Sequence, residues 1–318
     1  MEENLPVAGH GSVPAQKTDT AALVERFLIE VDIADSTKES YRKALRQFFL
    51  WRELQGIGDV TRGEVLAFKN YLLTRVQPTT AAAYLTAVKS LFKWLESEKI
   101  YPNVAAGVKG VKLSAMHRKD ALTPVQAKHV MEAVRGETIR AKRDFALLNL
   151  LMRTGLRTIE VHRANVEDVR NRGAQTVLLV QGKGHEDKDA FVVLTEATLG
   201  PIRDYLSARR SSGLEVVGPK SPLFASLSTR SYGGRLSLRS LRETAKGALR
   251  RAGYDDSRLT THSLRHTAVT LALLGGASLQ QAQALARHKS ISTTLVYSHN
   301  LDRLGNAPEK FIDSMLDE

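Results

Sequence analysis

Between Thr176 and Leu194 the chain reads TVLLVQGKGHEDKDAFVVL. Two β-type runs, Thr176–Val180 and Ala190–Leu194, flank a polar turn containing glycine, the pattern of a hairpin or the edge of a small sheet. On either side the apolar residues recur at helical spacing instead. The expected fold is therefore mainly α, with a small antiparallel sheet confined to the second half.

Upstream of the hairpin, a helix over Ile139–Thr154 ends at Gly155, a residue suited to the left-handed position after a helix. Thr123-Pro124-Val125-Gln126 opens another, with proline at the first helical position. From Pro102 to Asp120 the periodicity lapses, and PNVAAGVKGVKLSAMHRKD carries four Lys or Arg against one acid. Further upstream, Ser36-Thr37-Lys38-Glu39 reads as a capping box opening a helix with the stripe Tyr41, Leu45, Phe48 and Phe49. Thr61 with Glu64 opens a second, carrying Val65, Phe68 and Leu72. Pro78 and Thr79 precede a third, with Ala81, Tyr84, Leu85, Val88, Leu91, Phe92 and Leu95 at 3-4-3-4 spacing. Helical patterns resume after Thr195. The expected organisation is a flexible tail at 1–20, a helical bundle at 21–101, a basic linker at 102–120, a mainly helical second domain at 121–300, and a tail at 301–318 whose Asn306-Ala307-Pro308-Glu309 starts a helix with Phe311, Ile312, Met315 and Leu316 on one face.

A length of 318 residues with 42% hydrophobic content favours two cored domains. The longest apolar run, Phe145 to Met152, is interrupted by Asn149, and the first residues lack a basic segment followed by an apolar one, so membrane and exported classes are not expected. Cysteine is absent, which excludes disulfides, thiolate metal sites and cysteine nucleophiles. The net charge of +12 is unevenly placed: +5 over 21–120 and +12 over 121–300, against −2 and −3 in the two tails. Basic bodies between acidic ends point to a phosphate backbone as partner.

The second domain carries Arg157 in GLRTIE, Lys183 in GKGH, His262 and Arg265 in HSLRH, and His288 and Tyr297 in HKSISTTLVYSH. A phosphodiester resists attack because negative charge on its non-bridging oxygens grows toward the transition state. Guanidinium forks and imidazoles oppose that charge. A tyrosine phenol can be the nucleophile if cations favour the phenolate, and a lysine can protonate the departing alkoxide. Taken singly, each residue has a blander reading: Arg157 as a helix-end cation, GKGHEDK as a plain turn, Tyr297 as packing. GKGH is not a nucleotide-binding loop, since Val177 stands where that motif needs glycine. His262 and His266 share a helix face, yet Arg265 repels a metal cation there and no glutamate occupies the position that an HExxH zinc motif requires.

GLRTIE, HSLRH and the nine-residue step from His288 to Tyr297, occurring in that order, resemble the tyrosine recombinases, or phage-type integrases, over roughly 21–300. The resemblance implies a helical core-binding domain in front of an α+β catalytic domain, closing on DNA as a C-shaped clamp. It implies Tyr297 as nucleophile forming a 3′-phosphotyrosyl link, Arg157 and Arg265 on the phosphate oxygens, Lys183 as general acid, and His262 and His288 in support. Lys188 in the same turn is the other candidate acid. No cofactor, ATP or metal is called for. The implied partners are double-stranded DNA, further copies of the chain in a DNA-bound tetramer, and accessory proteins; residues 306–318 either join neighbouring copies or dock on their own domain. The implied location is the cytoplasm. The tail at 1–20 is too short for an arm-binding domain, which points to a Xer-like or mobile-element recombinase acting in integration, excision, transposition or dimer resolution through a Holliday junction.

The family often places Leu-Gly before the third-box histidine, whereas Ala286-Arg287 stands here. Arg287 is thus a candidate DNA contact beside the site, joined by Arg42, Lys43, Arg46, Lys89, Lys93, Arg118 and Lys119 as candidate phosphate contacts. Glu160 is placed to orient Arg157, and His266 to pack. Two rival functions share part of this pattern. A type IB topoisomerase-like enzyme would use the same chemistry on one duplex, and a silent architectural protein would need no phenol at that spacing.

Overall fold

The structure, a computed structural model, describes residues 17–113, 121–182, 187–298 and positions 312, 313 and 316. Lys183, Arg118, Lys119 and most of the expected terminal helix lie outside the described residues. Two compact units divide the chain, Met1–Ala115 and Met116–Glu318.

The first unit contains α1 (Lys17–Glu30), α2 (Asp35–Leu54), α3 (Arg62–Arg75) and α4 (Pro78–Ser97). Their stripes meet in a core of rings. Phe48 lies edge-on to Phe68 at 5.0 Å and to Phe92 at 6.1 Å, and all three are buried. The Thr61–Glu64 capping box forms, and Pro78 takes the first position of α4. Three expectations are corrected. Helix α1 begins at Lys17, inside the expected tail, because the turn carrying Val24, Phe27 and Leu28 docks in the core and the helix runs back from it. The capping box at Ser36 does not form: α2 starts at Asp35 after Ala34, and Glu39 turns to Arg42 one helical turn on. The first part of the expected linker belongs to this unit, since Ala105 and Val108 are buried in its core. Side chains of Arg62, Lys69 and Lys89 hold that segment by donating to the carbonyls of Gly107, Lys109 and Val108 at 3.1, 2.9 and 2.8 Å.

The second unit begins with α5 (Pro124–Glu132), α6 (Ile139–Thr154) and α7 (Thr158–Arg163), then a single 3-10 turn at Val166–Asp168. Strands β1 (Val169–Arg172), β2 (Gln175–Val180) and β3 (Ala190–Val193) form an antiparallel sheet in chain order, with Val177 opposite Val193 and Leu178 opposite Val192. β1 was not expected, because VRNR has no alternation. It joins β2 through backbone pairing, which needs no apolar side chains. Helices α8 (Glu196–Ser211), α9 (Leu238–Arg251), α10 (Thr261–Leu274), α11 (Leu279–Ala286) and α12 (Ser292–Ser298) follow. Helix α6 is central and buried on nearly every side from Arg143 to Thr154, packing on α8 and α10. Gly155 ends it at φ 60°, the left-handed region glycine enters freely. Ile312 and Leu316 are exposed.

Candidate active site

Four neighbouring pieces of the second unit supply the site: the α6–α7 turn, the first turns of α10, the end of α11, and α12. Each is placed by local chemistry. Because α6 must stop at Gly155, Arg157 falls at the entrance of α7, where the Glu160 carboxylate accepts its backbone N–H at 2.7 Å and its guanidinium Nη1 at 2.9 Å. Glu160 is almost completely buried. Burial alone would raise its pKa, but the Arg287 guanidinium, the Arg157 backbone amide and the Arg157 charge outweigh that and hold it below the ordinary glutamate range.

Arg265 is buried on α10 and spans two helix ends. It donates through Nη1 to the carbonyl of Gly155 at 2.5 Å and through Nη2 to the carbonyl of Ala286. The last carbonyls of a helix have no partner within it and carry the negative end of the helix dipole. A guanidinium between the ends of α6 and α11 satisfies both. Burial, with Arg157 and Arg287 nearby, lowers its pKa to about 10, so it remains a cation at neutral pH.

Tyr297 is buried in α12 among Val269, Ala282 and Ala286. Its ring lies 4.8 Å from that of His266 and 5.9 Å from that of His288, and His266 in turn meets His262 edge-on at 4.6 Å. Burial raises the phenol pKa, with the charges of Arg265 and then Arg157 acting against the rise. The hydroxyl is therefore protonated in this arrangement, and the two cations are what would favour a phenolate. His288 Nδ1 lies 2.9 Å from Oγ1 of Thr294, a fully buried threonine on α12. Burial, then Arg265 and Arg157, depress the pKa of His288 to about 4, so its imidazole is neutral at neutral pH. His262 is exposed at the start of α10.

Arg157, His262 and Arg265 of α10, His288 and Tyr297 thus come together from four pieces of the second unit, while Lys183 falls outside the described residues. Both ends of its turn are held. Arg163 donates to the carbonyl of Gly182 at 2.9 Å, and Lys188 is paired with the buried carboxylate of Asp168. Of the candidate DNA contacts, Lys43, Arg46 and Lys93 are exposed. Arg42 is ion-paired to Glu25 at 2.7 Å and also to Glu39, Lys89 is bound to a carbonyl of its own unit, and Arg287 turns inward to Glu160 at 2.8 Å. Thr294 was missed by sequence reasoning, although it lies six residues from His288, within reach across one short helix. Exposed Arg239 and Arg242 on α9 were also missed, and there the signal was an amphipathic pattern backed by Leu241, Ala245 and Leu249.

Residues 120–303 match the Phage integrase family, and residues 24–101 match its N-terminal SAM-like domain. The chain is 32% identical over 281 residues to the tyrosine recombinase XerC of Natranaerobius thermophilus, covering 85% of this chain and 90% of that one. It is 30% identical over 291 residues to the tyrosine recombinase XerD of Yersinia pestis, covering 87% and 92%. Its fold is similar to that of the XerH site-specific recombinase bound to palindromic difH substrate in a post-cleavage complex, with a TM-score of 0.71 at 18% identity, covering 91% of this chain and 83% of that one. The chain belongs to the phage integrase family, the tyrosine recombinases, which cleave and rejoin DNA in site-specific recombination.

Proposed function

We propose that Tyr297 is the nucleophile and that Arg157 and Arg265 ligate the scissile phosphate. The observation that carries this is the position of the Tyr297 ring against His288, in the field of both arginines. The phenol oxygen attacks phosphorus, the phosphate–5′-oxygen bond breaks, and the DNA is left joined to the enzyme as a 3′-phosphotyrosine with a free 5′-hydroxyl. That hydroxyl, or one from a second duplex, reverses the step. The covalent bond conserves the energy of the phosphodiester, so the reaction calls for neither ATP nor metal. Arg265 is already fixed at two helix ends and meets the phosphate with little reorganisation, which is what makes fixed donors effective. Neutral His288, held by Thr294, can donate or accept a hydrogen bond at the phosphate, and His262 lies at the exposed edge of the same row of rings. Lys183 is the general acid in this reading. Lys188 is set aside because its ammonium is engaged by Asp168.

The substrate is double-stranded DNA, held by exposed cations that include Lys43, Arg46, Lys93, Arg239 and Arg242. Four copies act on two duplexes through a Holliday junction, with residues 306–318 joining neighbours, in the cytoplasm. Covalent capture tests the reading. The protein and its Tyr297→Phe variant are incubated in chelator with nicked suicide duplexes from a randomised pool, and SDS-resistant, protease-sensitive adducts are sought. An adduct from the parent and none from the variant is expected. An adduct that persists in Tyr297→Phe overturns the nucleophile, and good duplex binding without any adduct favours an architectural protein.

A further inference from the structure

Arg287 occupies an unusual backbone position. It ends α11 at φ 51° and ψ 48°, one of two non-glycine residues with positive φ among the described residues. Glycine takes that conformation without strain, and any other residue there needs a compensating interaction. The side chain supplies one. It folds inward, largely buried, and donates through Nη2 to Glu160 Oε2 at 2.8 Å and through Nη1 to the carbonyl of Leu285 at 2.9 Å. The other Glu160 oxygen holds the Arg157 guanidinium at 2.9 Å. The Arg287 backbone carbonyl also accepts from Arg157 Nη2 at 3.4 Å. One buried carboxylate is thus shared by two guanidiniums, and one of them meets Arg287 through its main chain as well.

We infer that Arg287 is a positioning residue for cleavage: by pairing with Glu160 it neutralises that carboxylate and leaves the charge of Arg157 free for the phosphate. The inference rests on the reading of Arg157 as a phosphate ligand. Orienting Arg157 with an acid has an electrostatic cost, because in a buried site the carboxylate cancels the cation it orients. With Arg287 present, Glu160 and Arg287 form a neutral pair, and Arg157 and Arg265 both keep their charge toward the DNA. Without it, the three remaining groups keep one net positive charge between them. A plain phosphate contact would leave Arg287 facing outward, and plain packing would not need a guanidinium in a left-handed cap.

The test compares the parent with Arg287→Gly, Arg287→Lys, Glu160→Gln and the double variant Arg287→Gly with Glu160→Gln. Single-turnover cleavage is measured on a suicide duplex recovered by the Tyr297-dependent capture. Arg287→Gly, which suits the backbone, is expected to slow cleavage roughly tenfold to a hundredfold, the scale on which a misplaced catalytic group costs rate, with duplex affinity unchanged. Arg287→Lys keeps the charge and is expected to retain more activity. Glu160→Gln should slow the parent but partly rescue Arg287→Gly, because there it removes the uncompensated charge. Such a reversal of sign is not produced by packing. Parent-like cleavage by Arg287→Gly, or two losses that simply add, overturns the inference.

A second measurement needs no DNA. Glu160 faces Arg157 before α7, Arg265 on α10 and Arg287 after α11, and loss of Arg287 weakens its charged form. Relative to the parent, Arg287→Gly should lose Tm as pH rises from below about 4 through the ordinary glutamate value, and Glu160→Gln should abolish that loss, which separates it from the titration of His288, whose imidazole Arg287 also faces. A Tm difference that does not vary with pH overturns the pairing. Failure of the parent to form any adduct would instead count against the proposed function and, with it, the role in cleavage, and the Tm series would still decide whether Arg287 holds Glu160 in its charged form.

Discussion

Among the described residues the first unit buries one polar or charged side chain, Arg52, and the second buries fifteen. In the first, Phe27, Phe48, Phe68 and Phe92 fill the interior, and the ion pairs of Arg26 and Arg42 lie outside it. In the second, Glu160, Arg265, His266 and Thr294 are buried around Tyr297, and Arg209, paired with half-buried Glu215, and Arg143 with Asp144 are buried elsewhere. Burying polar groups is costly unless each finds a partner. The first unit therefore rests on non-directional ring packing, whereas the second adds to its own apolar core a set of directional bonds, some of which also hold the site. In the second unit a substitution can damage fold and function together, and in the first the two effects separate.

Arg265→Ala should show the coupling most strongly. It removes a phosphate donor and strands the carbonyls of Gly155 and Ala286. Loss of one fixed donor costs about 10²–10³ in rate, and each buried carbonyl left unsatisfied costs about 1–3 kcal/mol. Covalent capture and urea unfolding on the same preparations should both show losses. Full stability with lost cleavage would break the comparison, since Arg265 would then act on phosphate alone.

Phe48→Ala is the counterpart in the first unit. The ring touches Phe49, Trp51, Phe68 and Phe92, and truncating such a buried ring costs about 3–5 kcal/mol. The loss should appear in the unfolding of residues 17–113, while the pH dependence of Tm that belongs to the second unit stays unchanged. Calorimetry at several pH values separates the two.

His288 gives a smaller effect of definite sign. Its folded pKa of about 4 lies below the ordinary 6.5, so between those values the unfolded chain takes up a proton that the folded chain refuses. The stability this group contributes is complete above pH 6.5 and is lost as pH falls toward 4. His288→Asn should flatten that part of the Tm profile. The residue is half-buried, so solvent screening keeps the change modest. An unchanged slope would show that another group carries it.

The same contrast explains what was legible in the sequence. Helix α6 and its end at Gly155 were readable because apolar spacing and a residue that enters positive φ freely are both local signals. The ring stripes of α2 and α4 were readable for the same reason. β1 was not, because VRNR is held by backbone pairing to β2, and residues 102–109 looked like a linker because Ala105 and Val108 pack from turns without a period. The order of Arg157, Arg265, His288 and Tyr297 pointed to phosphoryl chemistry, but the ion pair from Arg287 to Glu160 spans 127 positions. No spacing rule reaches that far, so Arg287 read as an outward cation when it in fact turns inward.

The exposed cations of the first unit provide the smallest test. Lys43, Arg46 and Lys93 have no role in the ring core, so Ala at each should leave Tm nearly unchanged. If each meets a phosphate, its loss weakens duplex binding about equally across sequences and reduces the salt slope by about one. Arg42, already neutralised by Glu25 and Glu39, should change that slope less than Lys43 does. Titrations of one duplex at several salt concentrations rank the four. A larger effect from Arg42 than from Lys43 would mean that its carboxylate partners give way to DNA, and that the ion pairs of the first unit, like those of the second, are tied to function.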